Sequence, residues 1–148
     1  MRFQKLIYTL LIAFFGSIAM PSLQAQTIDE TVVKDLKAVQ HYALGAQSTR
    51  EIKGAIMTMK QMQEAGITVE HFEVVIWGKV IKELGSDSEM AEFIRKNASE
   101  EMSFSVCAMA MKKLEVSRDE IMPEIGVVPN AYVRLFQLQA KGYNTILP

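Results

Sequence analysis

The chain has 148 residues, of which 49% are apolar, and its formal net charge at pH 7 is −1. This length supports one domain with a buried core and excludes two domains of ordinary size. The near-neutral charge, with no run of basic residues longer than a pair such as Lys112-Lys113, gives no electrostatic basis for binding nucleic acid. The sequence has a single cysteine, which excludes an intramolecular disulfide.

Residues 1–25 have the pattern of a secretory signal peptide. Arg2 and Lys5 precede an uncharged apolar run at 6–18, and a short polar segment ends at Ala25. The apolar run is shorter than the ~20 residues that a membrane-spanning helix requires. We therefore expect cleavage after Ala25 and no stable membrane span in the mature chain, with an uncleaved anchor as the alternative. The mature chain then comprises a polar lead-in, 26–36, and one domain, 37–148.

The first half of this domain alternates predicted strands with predicted helices. Residues 37–44 predict a first strand, which Gly45 ends. Ser48 and Glu51 form a capping box that begins a helix with apolar residues at three- and four-residue spacing. Residues 70–77 predict a second strand, and its near-continuous apolar run indicates a sheet covered on both faces.

The second half repeats the alternation. Ser86 or Ser88 caps a helix, and strands are predicted at 102–107, 125–128 and 143–147. Pro129 and Asn130 begin the last long helix. Its apolar stripe is predicted to comprise Ala131, Leu135, Phe136 and Leu138.

Strands that are each followed by a helix, with no hairpin turn signal between them, predict an α/β fold. We expect a three-layer α/β/α sandwich around a mostly parallel sheet of four or five strands, with flavodoxin-like or Rossmann-like topology. In such sheets ligands bind beyond the carboxyl ends of the strands. On the predicted strand bounds, the residues at or beside this edge are His41, Trp77, Gly78, Cys107, Ala108 and Asn130.

Cys107 is predicted to lie where the third strand passes into a helix, on the more polar face of that strand. A thiol there faces the unpaired N–H groups and the positive end of the helix dipole, which favour the thiolate. Such a thiolate can attack a sulfane sulfur and hold it as a persulfide. The alternative is that Cys107 is buried and packs as a small apolar residue.

Two other residues have chemical interpretations. His41 could act as a proton acceptor if its strand lies beside that of Cys107, although a histidine at a strand end is also a common half-buried polar group. Trp77 could form an apolar wall beside the thiol, or belong to the core. Neither metal-ligand spacing of His and Cys nor a Gly-rich phosphate loop is present, so we predict no metal and no nucleotide cofactor.

Three segments in this order, VVIWG, SVCAMAMKKLEV and EIGVVPNAYVRLFQLQAKGYNTI, resemble the DsrE/DsrF-like (YchN-like, Tus-type) sulfur-relay family over residues 37–148. The resemblance implies a three-layer α/β domain that assembles into homotrimers or hexamers. It also implies that Cys107 matches the cysteine that carries a persulfide in the sulfur-transferring members. Trp77 stands where many members have a histidine before the glycine, and the known relays are cytoplasmic whereas this chain carries an export signal.

Two hypotheses follow. The chain is an exported sulfane-sulfur carrier or sulfurtransferase-type relay, in a bacterial periplasm, which exchanges sulfur with a donor or acceptor protein through Cys107. Alternatively, it is a non-catalytic oligomeric domain that binds a small ligand or a protein, and Cys107 is structural.

Overall fold

The computed structural model describes residues 27–148. The signal peptide predicted over residues 1–25 lies outside the described residues. In chain order the elements are α1 (Glu30–Leu36), β1 (His41–Ala46), α2 (Thr49–Glu64), β2 (His71–Ile76), a first 3₁₀ helix (Lys79–Glu83), α3 (Glu89–Asn97), β3 (Met102–Cys107), α4 (Ala108–Leu114), a second 3₁₀ helix (Arg118–Glu120), β4 (Gly126–Val128), α5 (Ala131–Ala140) and β5 (Asn144–Ile146).

The five described strands form one parallel sheet in the order β4-β3-β2-β1-β5. Strands β1 to β4 follow one another across the sheet, and β5 returns to the far side of β1. Because parallel crossovers are right-handed, this reversal puts α5 on the face opposite to α2, α3 and α4. The α/β sandwich around a parallel sheet that the sequence predicts is confirmed.

The larger core lies between the sheet and the helices on the α2 side. Helix α2 begins at the predicted capping box, in which the Glu51 amide donates to Ser48 Oγ at 3.2 Å and the Ser48 amide donates to a Glu51 carboxylate oxygen at 3.1 Å. It buries an apolar face, and each fully buried aliphatic side chain contributes ~1.5–3 kcal/mol. That face comprises Ile52, Ala55, Ile56, Met59 and Met62.

The smaller core lies between the sheet and α5. Its members are Ala43, Val75, Trp77, Cys107, Ala131, Leu135 and Leu138. Residues 131, 135 and 138 share one face of α5, whereas Phe136 is turned ~100° from Leu135 and is 67% exposed. The prediction that Phe136 belongs to the buried stripe is therefore wrong.

Strand β1 runs from His41 to Ala46, so the predicted bounds of 37–44 are shifted. Gly45 lies inside the strand and does not end it. A Cβ atom on Gly45 would come within 2.5 Å of Cη2 of Trp77, which is closer than atoms pack. The glycine is therefore needed because the Trp77 indole lies against β1 at this position.

Candidate functional site

Cys107 is the last residue of β3 and the N-cap residue of α4. Its strand face carries Ser103 and Ser105, which is the more polar face that the alternation predicts. The side chain is buried in the smaller core, with 6% of the residue exposed, and the thiol is free. The junction therefore puts a nucleophilic atom at the carboxyl edge of the sheet, beneath the beginning of α5.

Trp77 follows β2 and lies in the same small core as Cys107. Its ring meets the ring of Tyr132, with centroids 5.4 Å apart and an interplanar angle of 52°. Tyr132 is half-exposed and belongs to the first turn of α5. An aromatic pair thus joins the end of β2 to the first turn of α5; Tyr132 was not among the predicted site residues.

Asn130 is the N-cap residue of α5. Its Oδ1 accepts hydrogen bonds from the amides of Tyr132, at 2.9 Å, and Val133, at 3.3 Å. Its Nδ2 donates to the thioether sulfur of Met109, at 3.1 Å. Met109 is the second residue of α4 and is largely exposed. Asn130 therefore connects the first turn of α5 to the helix that begins after Cys107.

Gly78 and Ala108, the two small residues of the predicted site, lie at different positions along the carboxyl edge of the sheet. Gly78 has φ of 81°, a conformation that favours glycine, and it faces the Gln47 side chain. Ala108 begins α4 and lines an open groove of about 580 Å³ together with Met111 and Val127. Both residues stay at the carboxyl edge of the sheet, near the ends of β2 and β3.

His41 is at the other end of the sheet. It is the first residue of β1 and pairs in register with His71, whereas Cys107 is beyond the last paired row of β2 and β3. A rise of ~3.3 Å per residue separates the two side chains by roughly 20 Å. The predicted position of His41 at the carboxyl edge is wrong, because β1 begins at His41, and the residue cannot accept a proton from Cys107 directly.

A charged cluster that the sequence did not reveal fixes α5 to the sheet. The Arg134 guanidinium donates to both oxygens of Glu73, at 2.9 and 2.7 Å, and the Ser105 hydroxyl donates to the same carboxylate at 2.8 Å. Glu73 is almost fully buried. Burial raises its pKa, but the hydrogen bonds from Arg134 and Ser105 together outweigh burial and lower the pKa below its ordinary value.

A second polar group occupies the amino end of the same sheet face. His71 Nδ1 lies 2.9 Å from the Tyr143 hydroxyl, and His71 Nε2 lies 3.0 Å from Ser103 Oγ. His41 stacks at a tilt on Tyr143, with ring centroids 5.1 Å apart, and its Nε2 lies 3.5 Å from a Glu70 oxygen. Desolvation by burial lowers the pKa of His71. These residues lie at the amino end of the sheet, away from Cys107.

Two features are absent from residues 27–148. The residues described contain no group of three or more His, Cys, Asp or Glu side chains that could hold a metal ion. None of the helices over the same range is both long and apolar enough to cross a membrane.

Comparisons with known proteins agree with the fold. The model of the DsrE/DsrF-like family matches residues 39–148. The structure is similar to that of a protein of unknown function, MTH1491, from Methanobacterium thermoautotrophicum, with a TM-score of 0.61 and 17% sequence identity; the match covers 72% of this chain and 96% of that chain. A search of curated protein sequences gave no match.

Proposed function

Because the chain belongs to the DsrE/DsrF-like family, we propose that it is an exported sulfane-sulfur carrier that holds sulfur as a persulfide on Cys107. The observation that supports this most directly is the position of the chain's only cysteine, at the point where β3 becomes α4 on the carboxyl edge of the parallel sheet. The signal peptide that the sequence predicts over residues 1–25 supports delivery to a bacterial periplasm.

The proposed transfer is a thiol exchange without net oxidation. The Cys107 thiolate attacks the outer sulfur of a donor persulfide, the S–S bond of the donor breaks, and the donor leaves as a thiolate. Cys107 then holds the S–SH group, and the terminal hydrogen stays on the transferred sulfur. Attack by an acceptor thiolate on that terminal sulfur reverses the step and restores the Cys107 thiolate.

The surroundings of Cys107 suit such a carrier. Cys107 is the N-cap residue of α4, and its side chain makes no capping hydrogen bond; the first-turn amides of a helix are the groups that can donate to an anion at this position. Cys107 is buried in the small core together with Trp77, and this burial limits the access of water and oxidants to a persulfide held there. Gly78 and Ala108 add little bulk at the edge where the donor approaches.

The proposed active form is a homo-oligomer, assembled through the outer face of α5. This outer face consists of Tyr132, Val133 and Phe136, which are 52%, 62% and 67% exposed. A helix that is apolar on both its inner and outer sides is normally buried on both. Ile146, the last residue of β5, and Leu147 are exposed apolar residues as well. Together with the outer face of α5 they present an apolar area on the order of several hundred Å², which a second copy of the chain can bury.

The test is sulfur loading followed by mass measurement. Purified mature protein is incubated with inorganic polysulfide, and its intact mass is compared with that of the Cys107→Ser variant. The proposal expects the mass of one sulfur atom to be added to the wild-type chain and none to the variant. Equal addition to both chains, or none to either, would overturn it.

A second function is favoured by the burial of Cys107. Because only 6% of Cys107 is exposed, its side chain can also act as a small apolar residue that packs in the core beneath α5. The chain would then be a non-catalytic oligomeric domain that binds a small ligand or a protein. Alkylation separates the two functions: a carrier labels while folded, whereas packing alone predicts labelling only after denaturation.

A further inference from the structure

Ala131, the first residue of α5, packs in the small core with Cys107. Two hydrogen-bonded attachments of α5 to the rest of the molecule, one at its N-cap and one in its middle, differ greatly in strength. Arg134, in the middle of the helix, makes two charge-assisted hydrogen bonds to the buried carboxylate of Glu73. Asn130, at the first turn, donates to the sulfur of Met109, and a thioether is a weak acceptor. The polar contact in the middle of α5 is therefore strong, whereas the polar contact at its first turn is weak.

The two attachments also differ in exposure. Glu73 is buried, and Leu135 and Leu138 of the same part of α5 are buried in the small core. Met109, by contrast, is 62% exposed, so water competes for both partners of its hydrogen bond. Local opening is favoured where hydrogen bonds are exposed and apolar contacts are few. Opening of α5 should therefore begin at Asn130 and stop near Arg134.

Such an opening lifts the residues that cover the thiol. Ala131 packs in the small core with Cys107, and Tyr132 packs on Trp77. From these contacts we propose that Asn130 is a positioning residue, whose hydrogen bond to Met109 sets how often solvent and reagents reach Cys107. That this contact regulates sulfur transfer rests on the proposed function. That it regulates the access of reagents to Cys107 does not.

The Asn130 side chain has two separable roles, which makes the proposal testable. Its oxygen caps α5, and its nitrogen makes the bond to Met109. Asn130→Ser keeps a good capping oxygen but has no amide to reach the sulfur. Met109→Leu keeps a similar volume but has no sulfur to accept the bond. Either change removes the same contact from opposite sides.

The experiment measures the rate at which folded protein is alkylated by iodoacetamide, at a protein concentration low enough for the chain to be monomeric, so that the proposed interface on α5 does not hold the first turn. We expect each single variant to label Cys107 about two to five times faster than wild type, the range for loss of one exposed hydrogen bond. The double variant should label no faster than the faster single variant, because only one contact is lost. Met57→Leu, a change at an equally exposed methionine on α2, should leave the rate unchanged.

Three results would show that the Asn130–Met109 contact does not control access to Cys107: the single variants are labelled at the wild-type rate, the two single-variant rate increases multiply in the double variant, or no variant is labelled while folded. The denaturation midpoint of Asn130→Ser is measured in parallel, since faster labelling with a lowered midpoint would indicate a lost cap instead. Failure of sulfur loading in variants that still label faster would refute only the proposed function.

Discussion

The indole of Trp77 occupies the space that a side chain at Gly45 would fill. A Cβ atom there would lie 2.5 Å from Cη2 and 2.7 Å from Cζ3 of the ring, and 2.8 Å from Cδ2 of Leu147. The absence of a side chain at this position of β1 thus fixes the position of the Trp77 indole in the small core that also holds Cys107.

Gly45→Ala should destabilise the protein by ~1–3 kcal/mol, the usual cost of overpacking a core. The displaced indole should also shift the tryptophan fluorescence maximum, because Trp77 is the only tryptophan in the chain. Urea denaturation followed by fluorescence measures both effects. Gly54→Ala, at a helical glycine of α2 with no atom within 4 Å of an added Cβ, is the matched control and should be neutral or stabilising. Equal effects of the two changes would contradict the role given to Gly45.

Glu73→Gln should lower the free energy of unfolding by ~3 kcal/mol, because it leaves the partly buried Arg134 guanidinium without its counter-charge. The double variant Glu73→Leu/Arg134→Met should recover most of that stability, since it removes both charges together. Chemical denaturation of the three proteins checks this. A double variant less stable than Glu73→Gln would show that the pair contributes more than charge compensation.

Stability should fall as the solution becomes acidic, in two steps. The pKa of His71 is depressed by burial below 6.5, so the unfolded chain binds a proton first and stability is lost as pH falls below about 6.5. The pKa of Glu73 is also depressed, so its contribution is present above 4.5 and is lost as pH falls below that value. His71→Gln should flatten the first step and leave the second. Denaturation midpoints measured across this pH range would contradict the assignment if the first step survived in the variant.

Phe136→Glu should dissociate the proposed homo-oligomer, because it places a charge in the centre of the outer face of α5. We expect the dissociation constant to rise by at least about tenfold, measured by sedimentation at several protein concentrations. Gln63→Glu adds the same charge on an exposed position of α2 and should leave assembly unchanged. A wild-type chain that sediments as a monomer at all concentrations would refute the oligomer.

The sequence predicts the parts of this fold that depend on local pattern. The alternation of Phe104, Ser105 and Val106 locates β3 and the face of Cys107, and the capping box locates the beginning of α2. The prediction that Gly45 ends β1 was wrong because a glycine is needed there to make room for Trp77, which is close to Gly45 only in the folded sheet. The shift of β1 that resulted put His41 at the wrong edge.

Long-range pairs were beyond local pattern altogether. Glu73 and Arg134 are 61 positions apart, and no pattern in the sequence around either residue indicates that the two form an ion pair. The one available signal was Glu73 itself, a carboxylate in an otherwise apolar strand, because a buried carboxylate requires a positively charged or hydrogen-bonding partner. Asn130 was predicted as a site residue from its place before α5, but its bond to Met109 depends on how two helices converge.

The most direct measurement of the central claim is the release of sulfur from loaded protein by cyanide. Cyanide removes the outer sulfur of a persulfide as thiocyanate and restores the thiolate. Folded wild-type protein, loaded with polysulfide and freed of excess donor, should release close to one thiocyanate for each Cys107, and the Cys107→Ser protein should release none. No release from the wild-type chain, or the same release from both chains, would contradict a persulfide carried on Cys107.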